Sequence, residues 1–361
     1  MEWLEALVLG IVQGVTEFLP VSSDGHLAIT QQLFAYFTGK PHSGKENLFF
    51  DVMLHLGTLA AILVFYRGVV KTGVHGLLGA TEVAPAYRRD GLVRTGLLAG
   101  VATTPLIPLA LFLKKWIEAA FESTVATGFG FLITAAVLLL TAFLRNRGET
   151  GKGPLETTWL DALLIGIAQM FAPLPGVSRS GLTVAAGLSL GLSRAWAVGF
   201  SLLIAVPAIL GATILEVRKV DPASLSGDRV AQTATAAVLA GLVGYGAILW
   251  LVKVVRSGRM WYFSVYLIIL GLLVLTAALY SKGTGDALRQ DAIHRARRGG
   301  NPGPVAERPR GRSGGALAGP RRTRTQPGEV DPLSALGAPA VETGRPGVDL
   351  GRPLAGRSRE S

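Results

Sequence analysis

The chain has 361 residues, 50% hydrophobic and 16% charged, with a mean hydropathy of +0.44, a formal net charge of +11 and a pI near 10.2. That is too apolar for an ordinary soluble domain and fits a polytopic membrane protein. The basic residues fall in short loops between apolar runs and in the C-terminal stretch, a pattern that reports membrane orientation rather than nucleic-acid binding, and the absence of cysteine excludes disulfides, thiolate metal sites and cysteine nucleophiles.

In chain order, residues 3–15 are apolar but too short to cross about 30 Å of hydrocarbon. Met1-Glu2-Trp3 is no basic leader, so no cleavable signal peptide is expected. Pro20 and Gly25 interrupt the helix, and an apolar helix resumes from about His26 to Phe37. Two short helices around a polar break predict a re-entrant hairpin, tolerated at membrane depth only where protein or a cavity surrounds it. Spans are predicted at 48–66, 92–113 and 124–144, with a basic loop over 67–91 and Lys114-Lys115 closing the second span.

The chain then begins again. Trp159-Leu160-Asp161-Ala162-Leu163-Leu164-Ile165-Gly166-Ile167-Ala168-Gln169 matches Trp3 to Gln13 without a gap. In the same register Val177-Ser178 falls on Val21-Ser22, Arg179 on Ser23 and Gly181 on Gly25. A second hairpin and spans at 196–215, 231–254 and 261–281 follow. The fold class is therefore an all-α polytopic membrane protein, repeat I over about 1–147 and repeat II over about 155–282. Three crossings per half reverse the direction of entry, which predicts an inverted-topology repeat with its site where the two broken segments meet. Placing 67–91, 145–158 and 253–259 in the cytoplasm gathers most short-loop Lys and Arg inside and puts both termini outside, against Lys114, Lys115, Arg218 and Lys219. From Gly283 to Ser361, Pro, Gly and Arg dominate and apolar periodicity vanishes, which predicts a disordered tail.

The second hairpin reads Pro175-Gly176-Val177-Ser178-Arg179-Ser180-Gly181, with Thr183 in the next turn. Free N–H groups at a helix start, hydroxyls and a guanidinium fork form a cradle for phosphate, and a charge at this depth implies a task. The phosphate-loop lysine pattern and the hydrolase nucleophile elbow are both absent. The first hairpin carries Gln13, Thr16, Glu17, Ser22, Ser23, Asp24 and His26. Gln13 and Glu17 share a helix face and offer hard oxygen ligands for Mg²⁺ or Ca²⁺. Ser23 is a candidate nucleophile and His26 a candidate base or acid. Singly, each has a plainer reading: the Ser pair as a cap, the His as a structural hydrogen-bonding residue. His55 is expected to pack or support the site from behind, and Asp51 to lie near an interface.

Gln13-Gly14-Val15-Thr16-Glu17-Phe18-Leu19-Pro20-Val21-Ser22-Ser23 with Gly25-His26, and Pro175-Gly176-Val177-Ser178-Arg179-Ser180 with Thr183, resemble the undecaprenyl-diphosphate phosphatase, or bacitracin-resistance protein, family over about residues 1–282. The resemblance implies a divalent-cation-dependent phosphatase of the bacterial cytoplasmic membrane, opening to the outer face. Its implied reaction recycles the cell-wall carrier lipid, and bacitracin opposes it by sequestering the substrate. It implies catalytic roles for Glu17, Ser23, His26 and Arg179, substrate contacts from Ser22, Gly176, Ser178, Ser180 and Thr183, and metal ligation by Gln13 and Glu17. Asp24 departs from the small hydroxyl residue usual at that position. The rival reading is an anionic-lipid flippase or phosphate transporter using the same Arg/Ser site, which would not need Ser23 beside His26. The sequence leaves open whether attack is by Ser23 or by water, and whether the chain forms a homo-oligomer.

Overall fold

The computed structural model describes residues 2–39, 44–78, 84–121, 123–144, 150–218 and 226–298, and no strand occurs among them. The first hairpin is α1 (Trp3–Phe18) and α2 (Ser23–Thr38), and the second is α9 (Trp159–Met170) and α10 (Arg179–Ser189). Both are too short to span, and each is broken at the proline-containing segment expected to break it.

Long apolar helices surround the hairpins. Those of membrane-crossing length are α8 (Thr124–Phe143), α11 (Arg194–Val217), α12 (Gly227–Arg256), the first part of α13 (Tyr262–Arg298), and a span from Arg89 to Leu109. The last comprises α5 (Arg89–Thr103) and the start of α6 (Leu106–Phe112), joined across Thr104-Pro105. Helices α3 (Gly44–Phe65) and α4 (Arg67–Leu77) are together apolar and long enough for a further span, with a bend of 65° at the break between them. The 67–91 loop is thus partly helical, and Lys114-Lys115 opens a short helix, α7 (Lys114–Phe121), rather than closing a span. Helix α13 runs to Arg298, past the boundary drawn at Gly283. Ala287, Leu288, Ala292 and Ala296 with interspersed Arg and Gln have high helix propensity, which the Gly/Pro signal further along had masked. Residues 299–361 of the expected tail, and the orientation markers Arg145, Arg147 and Lys219, lie outside the described residues.

The halves are interleaved. Helix α1 packs along α12, and its counterpart α9 along α5; α3 packs on α12 and α11 on α5; α8 lies against α13. Glycines permit these approaches. A Cβ at Gly10 would collide with the Ala236 carbonyl, and one at Gly166, the same repeat position, with the Ala102 carbonyl. Such small-residue contacts bring membrane helices to backbone distance. The start of α9 is fixed by a capping box, Thr158 Oγ1 accepting from the Asp161 N–H at 3.1 Å and Asp161 Oδ2 from the Thr158 N–H at 2.9 Å. Lys152 Nζ pairs with the same carboxylate at 2.9 Å, and Arg94 donates to the carbonyls of Pro154 and Thr157 at 3.0 and 2.6 Å.

Candidate active site

The two hairpin tips touch. A Cβ on Gly25 would lie 2.8 Å from the Phe131 ring and 2.9 Å from Cα of Gly176. Gly176 takes φ +82°, a conformation open to glycine, and its carbonyl accepts from Thr134 Oγ1 at 2.9 Å. Thr134 Oγ1 also accepts the Ser178 N–H at 3.0 Å, so α8 holds the second tip in place. Ser180 Oγ crosses to the Leu19 carbonyl at 3.1 Å and ties one hairpin to the other.

Across this junction Arg179 Nη2 donates to Glu17 Oε1 at 2.9 Å. Glu17 Oε2 accepts from Gln13 Nε2 at 3.0 Å and from Ser23 Oγ at 2.8 Å. The Glu17 side chain is 5% exposed and that of Arg179 14%. Three buried polar atoms have no partner among the described residues: Arg179 Nη1, Gln13 Oε1 and its repeat counterpart Gln169 Oε1. A buried guanidinium nitrogen needs an acceptor, supplied by a ligand or by water. The site thus holds a hydroxyl hydrogen-bonded to a buried carboxylate, beside a guanidinium whose Nη1 has no protein partner among the described residues, an arrangement whose chemistry suits an oxyanion such as a phosphoryl group.

The structure brings Gln13, Glu17, Ser23 and Arg179 together. The remaining hydroxyls each make a hydrogen bond within the protein. Ser178 Oγ caps α10, accepting from the Gly181 N–H at 3.1 Å with Ser180 Oγ 3.2 Å away. Thr183 Oγ1 lies 2.6 Å from Ser201 Oγ on α11. Ser22 caps α2, its Oγ accepting from the Gly25 N–H at 3.3 Å. These groups build the cradle's frame, leaving its N–H-rich start and Arg179 to meet a ligand. Ser22 also has φ +69° and is the only described non-glycine residue with positive φ. Such a conformation costs roughly 1–3 kcal/mol and persists only where surroundings enforce it.

His26 does not face Ser23. Its Nδ1 lies 2.7 Å from the Ser22 carbonyl and its Nε2 2.7 Å from the Tyr266 hydroxyl. The imidazole nearest Glu17 belongs to His55. Its Nδ1 donates to the Asp51 carbonyl at 2.8 Å, and its Nε2 stands 3.7 Å from both Glu17 Oε2 and Asp24 Oδ1. The extra carboxylate of Asp24 is thus matched by a ring on α3. Asp51 itself accepts from Gln31 Nε2 at 3.2 Å and is half-buried. An ionisable residue within an apolar span was the signal for His55. Tyr266, on α13, carried none. A cavity of about 640 Å³ is lined by Thr16, Leu19 and Val21 of the first hairpin and by Trp250, Phe263 and Tyr266.

An all-α, multi-pass architecture with a buried polar site at the junction of two broken helices defines the class of protein: an integral membrane protein with its ionisable residues gathered between two hairpins. Residues 6–273 match the family described as Bacitracin resistance protein BacA, and the chain belongs to that family. Among curated relatives named undecaprenyl-diphosphatase, one from Carboxydothermus hydrogenoformans is 38% identical over 284 residues, covering 77% of this chain and 99% of the relative. Another, from Desulfosudis oleivorans, is 41% identical over 279 residues, covering 75% and 97%. A third, from Bacteroides thetaiotaomicron, is 35% identical over 282 residues, covering 77% and 100%.

Proposed function

We propose that this chain hydrolyses undecaprenyl diphosphate to undecaprenyl phosphate and inorganic phosphate, recycling the carrier lipid of cell-wall synthesis and so conferring resistance to bacitracin, which sequesters the substrate. The observation that carries this reading is the Arg179–Glu17–Ser23 arrangement with Arg179 Nη1 buried and unpartnered. Arg179 binds the terminal phosphoryl group and, with the start of α10, offsets charge developing on its oxygens. Ser23 Oγ attacks the terminal phosphorus in line while its proton passes to Glu17. The bond to the bridging oxygen breaks, undecaprenyl phosphate leaves, and water releases phosphate from Ser23. The Ser23–Glu17 hydrogen bond favours this route over direct attack by water, and a carrier would have no use for it.

The donor set fits a hard divalent cation. Gln13 Oε1 is buried without a partner, and Glu17 is a carboxylate beside it. No group of three or more His, Asp or Glu able to enclose a metal occurs among the described residues, and Mg²⁺ takes one or two protein oxygens with the remainder from water and substrate phosphate. Gln13 and Glu17 would hold Mg²⁺ or Ca²⁺, which supplies positive charge against the diphosphate.

The reciprocal packing of α1 on α12 and α9 on α5 supports an inverted repeat. The basic loops support a site serving the outer face of the bacterial cytoplasmic membrane. Phosphate release from undecaprenyl diphosphate by the purified chain in detergent with Mg²⁺ tests the function. Lipid binding without release would overturn it in favour of a carrier.

A further inference from the structure

Hairpin one differs from hairpin two in a way the repeat does not require. The N-cap of α2, Ser22, sits at φ +69°, whereas the matching N-cap of α10, Ser178, sits at a relaxed φ of −86°. Four residues on, hairpin one has His26 and hairpin two has Leu182. The strained cap and the histidine occur together in the hairpin that carries Ser23, and both are missing from the other.

The hydrogen bonds explain the pairing. A carbonyl only accepts, so His26 Nδ1 carries a proton and donates it to the Ser22 carbonyl at 2.7 Å. A neutral ring then leaves Nε2 to accept from the Tyr266 O–H, whose oxygen lies 2.7 Å away. The ring is further held edge-on to Phe131, with centroids 5.2 Å apart, and stacked on Tyr266 at 5.8 Å. Both nitrogens are therefore spent, and no described contact joins His26 to Ser23, Glu17 or Arg179. Ser22 immediately precedes Ser23, whose Oγ donates to Glu17 Oε2 at 2.8 Å. The geometry of Ser22 thus sets where the Ser23 hydroxyl points.

We propose that His26 is a positioning residue rather than the proton carrier of the reaction, and that Tyr266, distant in sequence on α13, is a second positioning residue that fixes its ring. The chain of action runs from Tyr266 through His26 to the Ser22 carbonyl and so to the Ser23 hydroxyl. The inference rests on the phosphatase reading of Ser23, Glu17 and Arg179, and it replaces the base role that the sequence motif assigned to His26.

The test compares His26→Asn with His26→Ala in the full-length protein in detergent micelles. The Asn amide nitrogen stands where Nδ1 does and can donate to the Ser22 carbonyl, but it cannot carry a proton to or from substrate. The proposal predicts that His26→Asn keeps kcat within about tenfold of wild type while His26→Ala falls by at least about 100-fold, each with little change in KM. Tyr266→Phe should lower kcat about fivefold, the loss of one neutral hydrogen bond. That loss should shrink towards unity in a Ser22→Gly background, where positive φ needs no enforcement. Side-chain ¹⁵N NMR of His26 should show a neutral ring protonated at Nδ1, a readout independent of activity.

An active wild type with His26→Asn as inactive as His26→Ala, both folded by thermal melting, would overturn the proposal and restore the base. So would a His26 ring protonated at Nε2 alone. Failure of the phosphatase reading looks different: wild type itself would release no phosphate, while the NMR prediction for His26 would still hold or fail separately.

Discussion

Arg179 and Glu17 are 162 residues apart in sequence and meet at 2.9 Å, one from each hairpin. Neither hairpin holds a compensated charge alone. Removing one partner leaves the other buried, which costs about 3–5 kcal/mol when no ligand or water replaces it. Arg179→Ala is therefore expected to lower the melting temperature in detergent as well as remove activity. Glu17→Gln, which keeps the shape and part of the hydrogen bonding, should lose activity with a smaller stability loss. Equal melting temperatures for wild type and Arg179→Ala would show that the pair does not bind the hairpins together.

Ser23→Ala removes the hydroxyl that donates to Glu17 at 2.8 Å. A loss of at least about 10³-fold in kcat with KM little changed is expected of a group acting only in the chemical step. Acid quench of wild type with substrate labelled on the terminal phosphate should recover label on Ser23. A residual rate within tenfold of wild type would move the attack to water.

His55 stands between Asp24 and Glu17, with Nε2 3.7 Å from each. His55→Ala leaves the two carboxylates facing one another beside an anionic substrate and should raise KM by about tenfold. Adding Asp24→Asn to His55→Ala should recover part of that loss. The double-mutant cycle should give a coupling of about 1 kcal/mol, and strict additivity would separate the two residues.

Gly25→Ala tests whether contact between the hairpin tips matters. The added methyl would press on the Phe131 ring and on Gly176, and overpacking of this kind costs about 1–3 kcal/mol. Gly96, with nothing within 4 Å of a built Cβ, is the control, and Gly96→Ala should stay within about 0.5 kcal/mol of wild type. Thermal scanning in detergent reads both.

Residues 301–361 lie beyond the family match, which ends at residue 273. Their deletion should leave phosphate release within about twofold of wild type, since the residues of the site all come from earlier helices.

Much of this architecture was legible because membrane physics constrains sequence strongly. Apolar runs too short to span, interrupted by Pro20 and Pro175, pointed to two broken helical pairs, α1–α2 and α9–α10. Arg179, Glu17, Ser23 and Gln13 stood out because polar groups at depth need partners. What sequence could not supply was the direction of each side chain. His26 lies three residues from Ser23 and reads as a candidate base or acid or as a structural residue, and sequence could not show that its ring meets the Ser22 carbonyl and Tyr266. Ser178, Ser180 and Thr183 read as ligand contacts, and the cap, bridge and helix-packing bonds that they also make were not legible. His55 read as packing or as support for the site, and its own span could not show that α1 and α2 place two carboxylates beside it. The end of α13 was drawn too early because local helix propensity outlasts the apolar pattern.

The most direct test of the central claim is phosphate release from undecaprenyl diphosphate by wild type, Arg179→Lys and Arg179→Ala, purified in detergent with Mg²⁺. If Arg179 Nη1 is the spare donor that receives the terminal phosphate, wild type releases phosphate and Arg179→Ala loses at least about 10³-fold in kcat/KM. Arg179→Lys, which keeps the charge but loses the fork, should fall between them. Arg179→Ala that folds and turns over like wild type would contradict the account, because the hairpin junction would then not be where phosphate is held.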